Sequence, residues 1–344
     1  MVLADFLPLI VIGFAASLGL TPITRQIAKR LGVMDAPSSR KVHRDPIPLM
    51  GGLAIYGAFL LSLLLFRNWP QHIVELGGIL VGATWLAAVG LFDDRLDLRP
   101  QFKFPAQALA AVLVIAIGIR VDLFNNLLLD SLLTFFWIVG LINAVNFLDN
   151  MDGLAAGISA IAAFFLFILA VSQGQELVSA LAAALCGSAI GFLIYNFNPA
   201  TTFMGDMGSM VLGFVLAVLG IKLRFPNQEL SVSWIIPVLV LGLPIFDTTL
   251  VVFSRLREGR SPLQGGKDHT SHRLVTLGLS QRLAVITLYG VCVLLGCAAI
   301  VISQSPVAQA EAIEIGIALV AITCFILLEV VRYRSQKQLA QKKP

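Results

Sequence analysis

Long apolar runs separated by short polar stretches organise the chain. A helix needs roughly 20 apolar residues to cross about 30 Å of hydrocarbon, because it rises about 1.5 Å per residue. Eleven such runs can be read, at about 5–24, 50–66, 73–92, 104–120, 126–148, 153–172, 177–196, 204–222, 233–254, 281–303 and 311–332. The predicted fold is all-α: a polytopic integral membrane protein with about eleven transmembrane helices. The first run is not followed by a small-residue cleavage site, so a retained span is expected rather than a signal peptide. The two longest polar connections, about 25–49 and 255–280, are still short. The chain therefore reads as a single transmembrane domain over 1–344, ending in a basic tail at 333–344, with no internal repeat.

Composition agrees. Hydrophobic residues make up 58% and charged residues only 13%, with a mean hydropathy of +0.88. Soluble domains carry about 25% charged residues, so an ordinary soluble protein is excluded. Charge also orients the chain, since Lys and Arg accumulate in cytoplasmic loops. Of the 24 Lys and Arg, 20 follow odd-numbered runs; only Arg67, Arg120, Lys222 and Arg224 follow even ones. The N-terminus is expected outside and the C-terminus in the cytoplasm. Within this pattern Lys103 and Arg255 to Arg260 are read as topology signals alone. Cys186, Cys292, Cys297 and Cys324 all lie in apolar runs and predict no disulfide framework.

Acids at a membrane edge are costly and mark functional candidates. Asp93, Asp94, Asp97, Asp149, Asp152, Asp206, Asp247 and Asp268 all fall on the odd side, with His43, His269 and His272; His72 lies opposite. The stretch Phe92-Asp93-Asp94-Arg95-Leu96-Asp97 ends the third run. If the helix continues, these acids share a face and need a cation or Arg95 and Arg99 to offset them. Asn143-Ala-Val-Asn146-Phe-Leu-Asp149-Asn150-Met-Asp152-Gly153 ends the fifth run, with three amides on one helical face. Such amides can also be packing glue between helices. Asn196-Phe-Asn198-Pro199 then leads to Phe203-Met204-Gly205-Asp206-Met-Gly208-Ser209. Here Asp206 can cap a helix or hold a cation beside phosphate groups, which helix N-termini attract. Hard oxygen ligands suggest Mg²⁺ rather than zinc. Two loops mix histidine with basic residues: Arg40-Lys41-Val-His43-Arg44-Asp45-Pro46-Ile-Pro48-Leu-Met-Gly51-Gly52, and Lys267-Asp268-His269-Thr-Ser-His272-Arg273.

In this order the motifs resemble the polyprenyl-phosphate N-acetylhexosamine-1-phosphate transferase family, over about residues 35–275. The elements are Lys-x-His…Pro-x-x-Gly-Gly, Asp-Asp, Asn-x-x-Asp-x-x-Asp-Gly, Phe-Met-Gly-Asp-x-Gly-Ser and a His-rich loop. The eleven-span layout and that loop resemble the N-acetylglucosamine-1-phosphate branch more than the muramoyl-pentapeptide branch. The branch pattern His-x-His-His-Arg is broken here, because Ser271 replaces the middle histidine.

The resemblance implies catalytic roles for Asp93, Asp94 and Asp206, with Mg²⁺ (or Mn²⁺) on Asp206 and Asp93 and the acceptor phosphate beside Asp93 and Asp94. It implies a nucleotide pocket shaped by Asn146, Asp149 and Asp152, with Phe203 stacked on uracil and Asn196 among the substrate-binding residues. Lys41, His43, Arg44, His269, His272 and Arg273 would meet phosphates or sugar. The implied partners are a UDP-sugar, a polyprenyl (undecaprenyl) phosphate and membrane lipid, with no nucleic acid; a homodimer stays open. The implied place is a bacterial inner membrane, with the site facing the cytoplasm. Muramoyl-pentapeptide transfer, a transporter and a lipid-binding scaffold are the competing readings. A transporter would place its acids near mid-depth.

Overall fold

A computed structural model describes residues 3–35, 45–96, 98, 100–263 and 265–341. The architecture is helical, as predicted. The helices are α1 (Leu7–Leu31), α2 (Gly51–Leu63), α3 (Ile73–Leu96), α4 (Pro100–Ala116), α5 (Leu127–Leu148), α6 (Leu154–Ser172), α7 (Glu176–Asn196) and α8 (Gly205–Lys222). They continue with α9 (Leu230–Ser233), α10 (Ile235–Val240), α11 (Gly242–Arg257), α12 (Thr270–Thr276), α13 (Gln281–Gln304) and α14 (Val307–Gln341). Among the described residues one pair of strands forms, β1 (Met34–Asp35) and β2 (Ile47–Pro48), antiparallel and flanking residues 36–44.

Among the described residues, eight helices are long and apolar enough to cross a membrane, and the α9–α11 region makes a ninth as a bent pair. The segments Gly51–Leu63 and Phe102–Ala116 are apolar but shorter. The ninth predicted run is not one straight helix. It breaks between Val240 and Gly242, where the two halves diverge by 77°. Pro244 explains the break: it has no N–H to give the carbonyl of Val240, four residues back, whereas near the start of α11 none is needed.

Helix α8 is the centre of the bundle. It is apolar on all sides, and every residue from Met207 to Ile221 is buried, as expected of a helix without a polar stripe. α2, α3, α5, α6 and α7 surround it; α4 lies against α3 and α5, and α13 and α14 lie outside. Large apolar side chains point outward instead, among them Leu64, Leu128, Phe136, Leu294 and Val320, where lipid replaces water.

Small residues bring backbones together at the start of α8. A Cβ on Gly52 would collide with the Gly208 backbone, and one on Gly90 with Met207. The segment entering α8 is held against α2. Gly51 N donates to Phe203 O at 2.9 Å, Gly52 N to Met204 O at 2.8 Å, and Phe203 N to Pro48 O at 2.8 Å. The Pro48-x-x-Gly51-Gly52 motif thus seats the Gly205-Asp206 turn.

Candidate active site

Because α8 is central, its first residues bring Asp206 to the meeting point of α3, α4 and α5. Gly205 has φ +69° and sits against the Asp94 carboxylate, where a Cβ would clash. Asp94 Oδ1 accepts the Asp206 N–H at 2.6 Å and Oδ2 the Met207 N–H at 3.3 Å. The helix is therefore capped by an acid from α3, which meets both its orphan donors and the positive end of its dipole. The motif acid Asp206 is capped, rather than being the cap that its position suggested.

Asp206 spends its own carboxylate elsewhere. Oδ1 accepts from Asn146 Nδ2 at 2.6 Å, and that nitrogen also donates to Ser209 Oγ at 2.8 Å. Oδ2 pairs with Lys103, which pairs equally with Asp93. Asp93 is 4% exposed and accepts Leu98 N at 2.8 Å. The cation between the acids is thus Lys103 of α4, not Arg95, which is exposed. Lys103 carries more than a topology signal, and its sequence context gave no hint of this. Asp97 and Arg99 lie outside the described residues.

The amides divide. Asn143 is packing glue: it bonds Gln107 of α4 at 2.6 Å and Val139 O at 2.7 Å. Asn146 is at the acids. Asn150 donates to Phe147 O at 2.7 Å and accepts from Ser271 Oγ at 2.7 Å. The residue in place of the expected histidine therefore ties the His loop to the end of α5.

Asp152 Oδ2 accepts Asn198 Nδ2 at 3.0 Å and Ala200 N at 2.9 Å. Asn196, 1% exposed, joins Gly153 N at 3.1 Å to Thr202 O at 3.0 Å. Both shape the turn that carries Phe203, which is half-buried. Asp149, just beyond α5, has its carboxyl pushed up to about 7 by burial, then by the charges of Asp206, Asp35 and Asp152.

On the His loop, His269 Nδ1 bonds Asp247 Oδ2 at 2.8 Å, and Thr270 N donates to Asp247 Oδ1 at 2.6 Å. The Asp247 bond leaves Nε2 of His269 as its other nitrogen for bonding. The ring meets Phe147 edge-on at 6.1 Å and His272 at 6.2 Å. His272 is pushed down to about 4 by burial, then by His269 and Lys267, so it is neutral near pH 7. Arg273, expected at substrate, is 3% exposed and bonded within the protein. Arg255 is likewise buried, pairing with Asp268 through Nε at 3.0 Å and Nη2 at 2.8 Å. It is a structural ion pair and not only a topology signal. Lys41, His43 and Arg44 lie outside the described residues.

Among the described residues no three His, Cys, Asp or Glu side chains form a metal-like group. The paired carboxylates of Asp93 and Asp206 nevertheless share one cation, Lys103. Two hard carboxylates suit Mg²⁺, which is commonly held by one or two of them together with substrate phosphates.

Asp93, Asp94, Asp149 and Asp206 sit at helix ends: the last turn of α3, the end of α5 and the first turn of α8. Asp247 lies within α11, buried against the histidine loop. All four cysteines are free.

Residues 76–224 match the model of glycosyl transferase family 4. The chain is 35% identical over 311 residues to a probable undecaprenyl-phosphate N-acetylglucosaminyl 1-phosphate transferase of Bacillus subtilis, covering 87% of this chain and 86% of that one. It is 33% identical to a decaprenyl-phosphate N-acetylglucosaminephosphotransferase of Mycolicibacterium smegmatis, over 77% and 74% of the two chains. To the undecaprenyl-phosphate alpha-N-acetylglucosaminyl 1-phosphate transferase of Escherichia coli K12 it is 27% identical, over 76% and 74%. With this likeness extending over most of both chains, and the motif acids meeting at the head of α8, the chain belongs to glycosyl transferase family 4, in its polyprenyl-phosphate N-acetylglucosamine-1-phosphate transferase branch.

Proposed function

We propose that this protein transfers N-acetylglucosamine-1-phosphate, or a closely related sugar-1-phosphate, from a UDP-sugar to undecaprenyl phosphate and releases UMP. The observation that carries the reading is the meeting of Asp93, Asp94, Lys103, Asn146 and Asp206 at one end of the bundle. That end carries the basic loops, so the site faces the cytoplasm of a bacterial inner membrane, with the N-terminus outside and eleven spans. In this reading the short α2 and α4 and the bent α9–α11 region are spans added to the eight long helices. The helix-end placement of Asp93, Asp94, Asp149 and Asp206 also favours an enzyme over a transporter, which needs its acids near mid-depth.

In the reaction a lipid phosphate oxygen attacks the β-phosphorus of the UDP-sugar. The bond from that phosphorus to the bridging oxygen breaks, and UMP leaves with that oxygen. The acceptor is already anionic near pH 7, so catalysis is mainly positioning and charge compensation. Lys103 supplies a positive charge between Asp93 and Asp206. Asn146 fixes the rotamer of Asp206, and Asp94 fixes the backbone beneath it. Asp152 and Asn196 hold the turn carrying Phe203, which faces the uracil. The neutral His272 and the free nitrogen of His269 hydrogen-bond phosphate or sugar. Asp206 and Asp93 would hold Mg²⁺, which when bound acts as Lewis acid and template for the phosphates.

The test is UMP release by the purified protein with a panel of UDP-sugars and undecaprenyl phosphate. Turnover of UDP-N-acetylglucosamine supports the reading. Turnover of UDP-N-acetylmuramoyl-pentapeptide alone would move the protein to the other branch, and no release from any donor would remove it.

A further inference from the structure

We propose that Glu329, on the last membrane helix, is a positioning residue for the histidine loop: acting through Arg273, it sets where His269 and His272 stand toward the nucleotide-sugar. The inference rests on the proposed function. It begins with a side chain that cannot reach substrate. Arg273 Nε donates to Asp268 O at 2.9 Å, Nη1 to Leu328 O at 2.9 Å and Glu329 Oε1 at 2.8 Å, and Nη2 to Ser254 Oγ at 2.6 Å. Four of these bonds leave a guanidinium with five N–H donors little to offer a ligand.

Those bonds cross between elements. Leu328 and Glu329 belong to α14, Ser254 to α11 and Arg273 to α12. Glu329 is only 7% exposed, and its second oxygen pairs with Arg257 at 3.0 Å. A buried carboxylate is tolerated only with such partners. Further along the same face of α14, Arg332 pairs with Glu258 at 2.6 Å and 2.8 Å, and Gln336 bonds the same acid at 2.8 Å. Positions 329, 332 and 336 form one stripe of the helix.

The loop is held at the other side of its histidines too. Asp268 precedes His269 and receives Arg255 and Arg260. Burial alone would raise its carboxyl, but these hydrogen bonds prevail and hold it well below the usual range. The segment from Asp268 to Arg273 is thus anchored at both ends, with both histidines between the anchors. Its inner side meets the site through Asp247 and through Ser271 on Asn150. Many apolar side chains of α14 point outward, Ile315, Leu319 and Ile326 among them. In its polar stripe Glu329 holds this loop, while Arg332 and Gln336 hold Glu258 at the end of α11, so movement of Glu329 displaces the histidines by way of Arg273.

The experiment uses the full chain in lipid nanodiscs, comparing wild type, Glu329→Gln, Arg273→Lys, the double variant and Ser254→Ala. Melting temperature, kcat, KM for each substrate and calorimetric affinity for UDP-N-acetylglucosamine are measured. Glu329→Gln should weaken binding and raise KM for the nucleotide-sugar about tenfold, the effect of one charge-assisted hydrogen bond. KM for undecaprenyl phosphate should not change. The double variant should be no worse than its worse parent, because both lesions act on one link. Ser254 Oγ accepts from Arg273 and donates to Glu329, so Ser254→Ala removes a partner shared by both without leaving a charge unpaired, and should show the same split at smaller size even if Glu329→Gln fails to fold. A lowered melting temperature with unchanged KM in both Glu329→Gln and Ser254→Ala overturns the proposal. So do additive effects in the double variant, which would put Arg273 on the substrate itself. Those outcomes leave the proposed function standing, whereas wild type that neither binds nor turns over a UDP-sugar overturns that reading first.

Discussion

Replacing Asp94 with Asn tests the capping of α8 by changing charge at constant shape. The carboxylate accepts two backbone N–H groups, from Asp206 at 2.6 Å and Met207 at 3.3 Å. An Asn side chain keeps one acceptor, so its amide nitrogen must face the other N–H, donor to donor. Losing one charge-assisted hydrogen bond costs about 1.5–3 kcal/mol. Removing the anion from the positive end of α8 adds roughly 0.3–1 kcal/mol. Felt wholly in the transition state, a sum of about 2–4 kcal/mol lowers turnover roughly thirtyfold to a thousandfold. The pocket residues around Asp152 are untouched, so affinity for the UDP-sugar should stay close to wild type. Asp152→Asn should do the opposite. It weakens the hold on Asn198 and Ala200, loosens the turn bearing Phe203, and lowers UDP-sugar affinity roughly ten- to hundredfold. Calorimetric binding and UMP release, measured on variants whose melting temperatures confirm folding, separate the two. If Asp94→Asn abolished nucleotide binding while Asp152→Asn left it intact, the division of the site would be refuted.

Lys103→Met removes the cation shared by Asp93 and Asp206. Turnover should fall about 10²-fold or more, while Mn²⁺ binding to the resting protein, followed by paramagnetic resonance, should tighten because no ammonium competes; weaker Mn²⁺ binding would contradict this. Asp206→Asn should also lose on the order of 10²-fold in turnover, and wild-type turnover that survives exhaustive EDTA treatment would remove the metal. Ser261→Cys, in the exposed loop after α11, should resist impermeant thiol reagents in intact cells; ready labelling would invert the orientation. His272 binds its proton at about 4 in the fold, against an ordinary histidine value of 6.5. The unfolded chain therefore binds more protons between those values, and wild type should lose stability relative to His272→Gln as pH falls from 6.5 toward 4. Parallel melting curves over that range would show that His272 is not buried.

Hydropathy was enough to mark the membrane helices, because burying a backbone in lipid demands long apolar helices whatever their partners. The predicted runs at 73–92, 126–148, 153–172, 177–196 and 204–222 coincide closely with α3, α5, α6, α7 and α8. The break near Leu241 is legible in Pro237 and Pro244, which lack a backbone N–H, and in Gly242, which weakens a helix. The acids could also be seen in the sequence, since a charge at a membrane edge stands out against apolar neighbours. What each charge does depended on partners far away in the chain. Lys103 and Arg255 look like any loop cation until folding puts one between Asp93 and Asp206 and the other on Asp268. Asn143 and Asn146 lie one turn apart on α5, yet Gln107 takes the first and Asp206 the second. The spacing of a helix decides which residues share a face. Only the tertiary packing decides what that face meets, because a hydrogen bond or ion pair needs its partner within about 3 Å, and here those partners come from helices distant in sequence.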